Sequence, residues 1–103
     1  MTRPLLVEKV IASLLESAGA TELSLRRAVF ERVRTGNGGM PQDLTVLVGK
    51  IAERPWTVTD SDILQARDAG YSEDQIYELV LAAAAGGGVR RLDAGLRAMA
   101  KAE

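Results

Sequence analysis

The chain has 103 residues, a length that argues for one domain rather than two. It contains neither cysteine nor histidine, which excludes disulfides, thiolate nucleophiles, imidazole bases and Cys- or His-ligated metals. With 13 basic and 14 acidic residues the net charge is −1, unlike that of a general nucleic-acid binder. A hydrophobic content of 47% is enough to fill one modest core. No apolar run approaches the roughly 18 residues of a membrane span. The start, Met1-Thr2-Arg3-Pro4-Leu5, carries a charge but no small-residue cleavage site follows, so no signal peptide is expected. The expectation is a soluble, cytoplasmic protein.

Apolar residues recur at helical spacing along the whole chain, and alternating β-rich runs are absent, so the fold class expected is all-α, with five or six helices. A first helix is predicted from Pro4 to Ser17, with Val7, Val10, Ile11, Leu14, Leu15 and Ala18 as its apolar stripe and Gly19 as the stop. Thr21 or Ser24 should cap a second helix that runs to Thr35. Leu25, Ala28, Val29 and Val33 form its inner face, and Arg26, Arg27, Glu31, Arg32 and Arg34 lie around the rest. That basic face is read as solvated, with docking to an acidic partner as the alternative. Gly36 to Gly39 breaks the chain.

A third helix should start near Pro41 and end near Arg54, because the residue before Pro55 is pushed out of the helical region. Trp56 follows in the loop, where it either plugs the core or lines a pocket or interface. Thr59 caps a fourth helix, with Asp60 and Asp62 facing the positive end of its dipole and Gly70 stopping it. Ser72-Glu73-Asp74-Gln75 is a capping box for a fifth. From Ile76 to Ala85 that helix is apolar nearly all round, more than so short a chain can cover, which suggests a second subunit. Gly86-Gly87-Gly88 should break or kink it, since each glycine costs about 1 kcal/mol relative to alanine. A last helix carries Val89, Leu92, Leu96 and Met99. The glycine run lacks the Lys-Ser/Thr of a phosphate-binding loop and has no preceding strand.

Ala66, Gly70 and Ile76 fall at the spacing of a helix-turn-helix. The second helix of that motif would open with Glu73, Asp74, Gln75 and Glu78. From Glu53 to Glu78 seven acids face only Arg54 and Arg67, a balance of −5. Phosphate contacts dominate DNA affinity, so the spacing is read as a tight helix corner, with a DNA-binding regulator as the least favoured reading. Neither nucleic acid nor membrane is expected as a partner. Glu78, set among apolar residues, needs a partner if it is buried, and Arg67, Arg90 and Arg91 are the candidates.

From Asp43 to Met99 the chain resembles the alkylhydroperoxidase D / carboxymuconolactone decarboxylase family. The residues that carry the likeness are Thr57-Val58-Thr59-Asp60-Ser61-Asp62, then Ala66 to Leu79 (ARDAGYSEDQIYEL), extended by Arg90-Arg91-Leu92-Asp93-Ala94-Gly95-Leu96. The resemblance implies a helical, self-associating fold. The family's redox motif is an acid followed by Cys-x-x-Cys-x-x-x-His, in which a thiolate activated at a helix N-terminus relays protons through the imidazole and the acid. Its positions fall on Asp43, Pro55, Val58 and Asp62, of which only the first keeps the acid. A Cys-dependent peroxidase is therefore excluded for this chain acting alone.

The resulting expectation is a redox-inactive member of that family, leaning against enzymatic activity. It would act as a homo-oligomeric accessory or small-molecule-binding subunit, beside a separate enzyme. The candidate binding residues are Trp56, Asp60, Asp62, Tyr77 and Glu78, with no metal and no cofactor. The alternative is an enzyme that uses the carboxylates of Asp43 and Asp62 on a small molecule, because paired carboxylates can form an acid/base couple or hold a hard cation. Against that stands capping, which by itself accounts for acids at these positions.

Overall fold

A computed structural model describes residues 2–102. Among the described residues every regular element is helical: α1 (Leu5–Glu16), α2 (Leu23–Thr35), α3 (Thr45–Glu53), α4 (Asp60–Asp68) and α5 (Glu73–Ala102). Two short 3-10 turns, Gln42–Leu44 and Pro55–Thr57, lead into and out of α3. No helix is long and apolar enough to cross a membrane among these residues.

α5 is the axis of the molecule. Its 30 residues run along the longest dimension, 50 Å, and the other helices pack on it. Leu79, Ala82, Ala83 and Val89 of α5 meet Val29, Phe30 and Val33 of α2 in the main core, which Leu15, Leu44, Val48 and Ala52 complete. A second cluster, Leu47, Ala66 and Ile76, joins α3, α4 and the start of α5.

The expected break at Gly86 to Gly88 does not occur: α5 is continuous through all three glycines. The reason is close packing. A Cβ at Gly86 would lie 2.6 Å from the Phe30 carbonyl oxygen and 3.0 Å from Val33 Cβ. The glycine lets α2 approach, and the burial gained along that contact outweighs the weak helix propensity. The third helix is also shorter than expected, because the segment after Pro41 forms a 3-10 turn before α3 begins at Thr45.

Neither Thr21 nor Ser24 caps α2. The N-cap is Glu22, which makes no side-chain capping bond, while Thr21 is buried and Ser24 lies inside the first turn. At the other end Gly36 takes the left-handed conformation, φ 78°, and its N–H donates to the Arg32 carbonyl at 2.9 Å. Arg26, expected on the outer face, is buried. Its guanidinium donates to the carbonyls of Leu14 (3.0 Å) and Ser17, which α1 leaves open at its C-terminal end.

The expected Thr59 cap and the expected Ser72–Gln75 capping box both form, and the Thr59 cap proves to be a reciprocal box as well. Thr59 Oγ1 accepts the Asp62 N–H while Asp62 accepts the Thr59 N–H at 2.8 Å. The Ser72 N–H donates to Gln75 Oε1 at 2.9 Å, and the Gln75 N–H donates to Ser72 Oγ at 3.1 Å. Between them the chain turns at Gly70, φ 108°, and the Tyr71 N–H donates to the Ala66 carbonyl. Ala66 and Ile76 are buried at this corner, so helix packing accounts for the helix-turn-helix-like spacing.

Candidate functional site

The four positions aligned with the redox motif lie on three different elements. Asp43 is in the first 3-10 turn, Pro55 opens the second, Val58 follows it, and Asp62 lies in the first turn of α4. Pro55 is exposed, and Val58 packs against the second core cluster.

Asp62 is the buried carboxylate of this group, 8% exposed. It closes the capping box and also accepts from Lys50 Nζ of α3 at 2.8 Å and from Thr59 Oγ1 at 3.1 Å. The Lys50 ammonium first, then the Thr59 N–H, hold its carboxyl below the ordinary aspartate range. All three bonds fall on Oδ2, and a carboxylate held ionised in this way is a poor proton carrier near neutrality.

Asp43 has a different partner. Its Oδ1 accepts from the Tyr71 hydroxyl at 3.0 Å. Partial burial, then the bond to Asp43, raises the pKa of that phenol. Asp43 and Asp62 share no hydrogen-bond partner: one is tied to Tyr71 in the turn between α4 and α5, the other to α3.

The remaining candidates are dispersed. Asp60 is exposed at the start of α4. Trp56 is 78% exposed and so is not a core plug. Tyr77 is 66% exposed on α5. No group of three or more Asp or Glu that could hold a metal ion occurs among the described residues.

Glu78 is half-buried, and its partners are not the arginines expected for it. Its two carboxylate oxygens accept the N–H groups of Ala20 and Thr21, each at 2.8 Å, from the loop between α1 and α2. The Ala20 N–H is the largest influence holding this carboxyl below the ordinary glutamate range, against the opposing effect of partial burial. Arg67 pairs instead with Glu73, Arg90 with Glu53, and Arg91 donates to the Ala52 carbonyl at the end of α3. Glu78 borders a small cleft with Ser13, Ser17, Arg26 and Leu81.

Sequence reasoning missed Lys50 and Arg26. Lys50 is one of several lysines and arginines with nothing local to single it out, since its partner is on another helix. Arg26 did carry a signal. It lies three residues before Val29 and four before Phe30, on the flank of the buried stripe, where a long side chain can reach the end of α1. Compared with protein-family models, curated proteins and solved structures, the chain matches none.

Proposed function

We propose that this chain is a redox-inactive relative of the alkylhydroperoxidase D / carboxymuconolactone decarboxylase family that works as a homo-oligomeric accessory or binding subunit beside a separate enzyme. The observation that carries the reading is the state of Asp62. At the position where the motif has its histidine stands a buried carboxylate whose Oδ2 accepts from both Lys50 and Thr59. The position has changed from proton relay to a structural tie between α3 and α4. The all-helical architecture agrees with the resemblance.

Self-association is favoured by the outward side of α5. Tyr77, Leu81, Ala84, Gly88, Gly95 and Met99 follow one another at intervals of three, four or seven residues, so they share one face of the helix. None of these six is charged and all but Leu81 are exposed, with exposed Arg91, between Gly88 and Gly95, at the edge of the row. A Cβ at Gly88 or Gly95 would meet nothing within 4 Å, so this chain's own packing does not require glycine at either. Small residues along a helix let a second helix approach closely and are what a paired α5 would use.

Sedimentation velocity over a wide concentration range tests the reading, run beside a hydroperoxide-reduction assay with a dithiol reductant. An oligomer that Gly88→Glu dissociates, together with no turnover, is expected. A monomer at every concentration, or measurable peroxide reduction, would overturn it.

A further inference from the structure

A groove that includes none of the candidate site residues lies between the end of α2 and α3. Its volume is about 200 Å³, several times a water's share of the liquid and enough for a fragment-sized molecule. The floor is apolar: Val33, Val48 and Ala52 are buried, and Met40 is half-buried beside them. The rim carries Arg32, Arg90, Glu53 and Thr45.

Gly49 opens this groove. It lies in the middle of α3, where glycine is the poorest helix former after proline, and a Cβ there would meet nothing within 4 Å. The fold does not need a glycine at this position, whereas a groove reaching the apolar floor does. The rim charges, two guanidiniums against one carboxylate, leave one positive charge in excess. Arg90 donates one N–H to Glu53 at 2.7 Å, and Arg32 donates one to the Gly38 carbonyl at 3.1 Å. Each guanidinium has five N–H groups, so both keep donors unused.

We infer that this groove is a binding site for a compact organic monocarboxylate with an apolar body, the carboxylate held by Arg32 and Arg90 and the body laid on Val33, Met40 and Val48. A guanidinium fork matches the two oxygens of a carboxylate. The floor favours an anion with an apolar portion over one without, because only the former gains by covering it. The inference stands apart from the proposed function, since the groove includes none of Asp43, Trp56, Asp62, Tyr77 or Glu78.

The test is a two-dimensional NMR titration of the whole protein with benzoate. Benzyl alcohol serves as the neutral comparison and inorganic phosphate as the anion without a body. Saturable shifts are expected at the amides of Val33, Val48 and Gly49. Arg32→Gln should weaken benzoate about tenfold, the scale of one charge-assisted hydrogen bond. Benzyl alcohol should bind at least as weakly to the unaltered protein. Gly49→Leu should abolish the shifts while the melting temperature holds or rises. Absence of saturation at those amides, an equal response to phosphate, or benzoate binding unchanged in Arg32→Gln would overturn the inference. So would undiminished binding in a folded Gly49→Leu protein.

Discussion

The carboxylate of Glu78 occupies the space that a side chain on Gly19 would need. A Cβ at Gly19 would lie 2.6 Å from Glu78 Oε2 and 2.8 Å from Oε1. The two residues are far apart in sequence, and the contact holds the loop after α1 against α5. Because the next two N–H groups, those of Ala20 and Thr21, bind the same carboxylate, Glu78 cannot swing aside without giving them up.

Replacing a glycine by alanine in a permissive loop ordinarily stabilises a protein by about 0.4–1 kcal/mol through the unfolded chain. At Gly19 the opposite sign is expected: Gly19→Ala should cost about 1.5–3 kcal/mol, the scale of hydrogen bonds to a charged group. In a Glu78→Ala background the same substitution should become neutral or stabilising. A double-mutant cycle by urea denaturation measures the coupling, and additive effects would contradict the account.

The acid sensitivity of this contact follows from its sign. The folded state lowers the Glu78 pKa. The stabilisation is therefore complete above the ordinary glutamate range and is lost as pH falls through the lower folded value. Glu78→Gln should be less stable than the unaltered protein by about 1 kcal/mol at pH 7. The gap should narrow as both proteins are taken into acid, as urea midpoints measured across that range would record.

The three consecutive glycines of α5 should respond differently to alanine. Gly86→Ala pushes a methyl against the Phe30 carbonyl and Val33, and should cost about 1–3 kcal/mol. At Gly87 the closest atom is Arg91 Nη1, at 3.0 Å, the end of a flexible side chain, so the cost should be smaller. Gly88 meets nothing of its own chain, so alanine there should stabilise the isolated protomer, measured at a concentration low enough to keep α5 unpaired, by about 0.5–1 kcal/mol. Thermal denaturation of the three single variants gives the order directly.

The cap of α4 is a local device with a local cost. Thr59→Ala removes the hydroxyl that accepts the Asp62 N–H and donates to its carboxylate. It should cost about 1 kcal/mol, a fall of roughly 4–8 °C in melting temperature for a domain of this size. Thr59→Ser should recover most of the loss. Lys50→Met should also destabilise the protein, since it leaves the buried Asp62 carboxylate without its cation.

Local chemistry is what the residues determined unaided. The Thr59–Asp62 and Ser72–Gln75 boxes join residues three apart, the left-handed turn at Gly70 needs a glycine, and helical periodicity runs through nearly every segment. The exclusion of thiolate and imidazole chemistry is a matter of composition alone.

Tertiary packing decided the rest. Propensity says that Gly86 to Gly88 should interrupt a helix, and α5 runs through because Phe30 and Val33 of another helix close on Gly86. The partners of Glu78, Asp62 and Asp43 lie 57–58, 12 and 28 residues away, and in each case several chemically equivalent groups competed for the role. Which of them meets which is set by how the helices stack. Spacing along a chain carries no record of that once the partners belong to different elements.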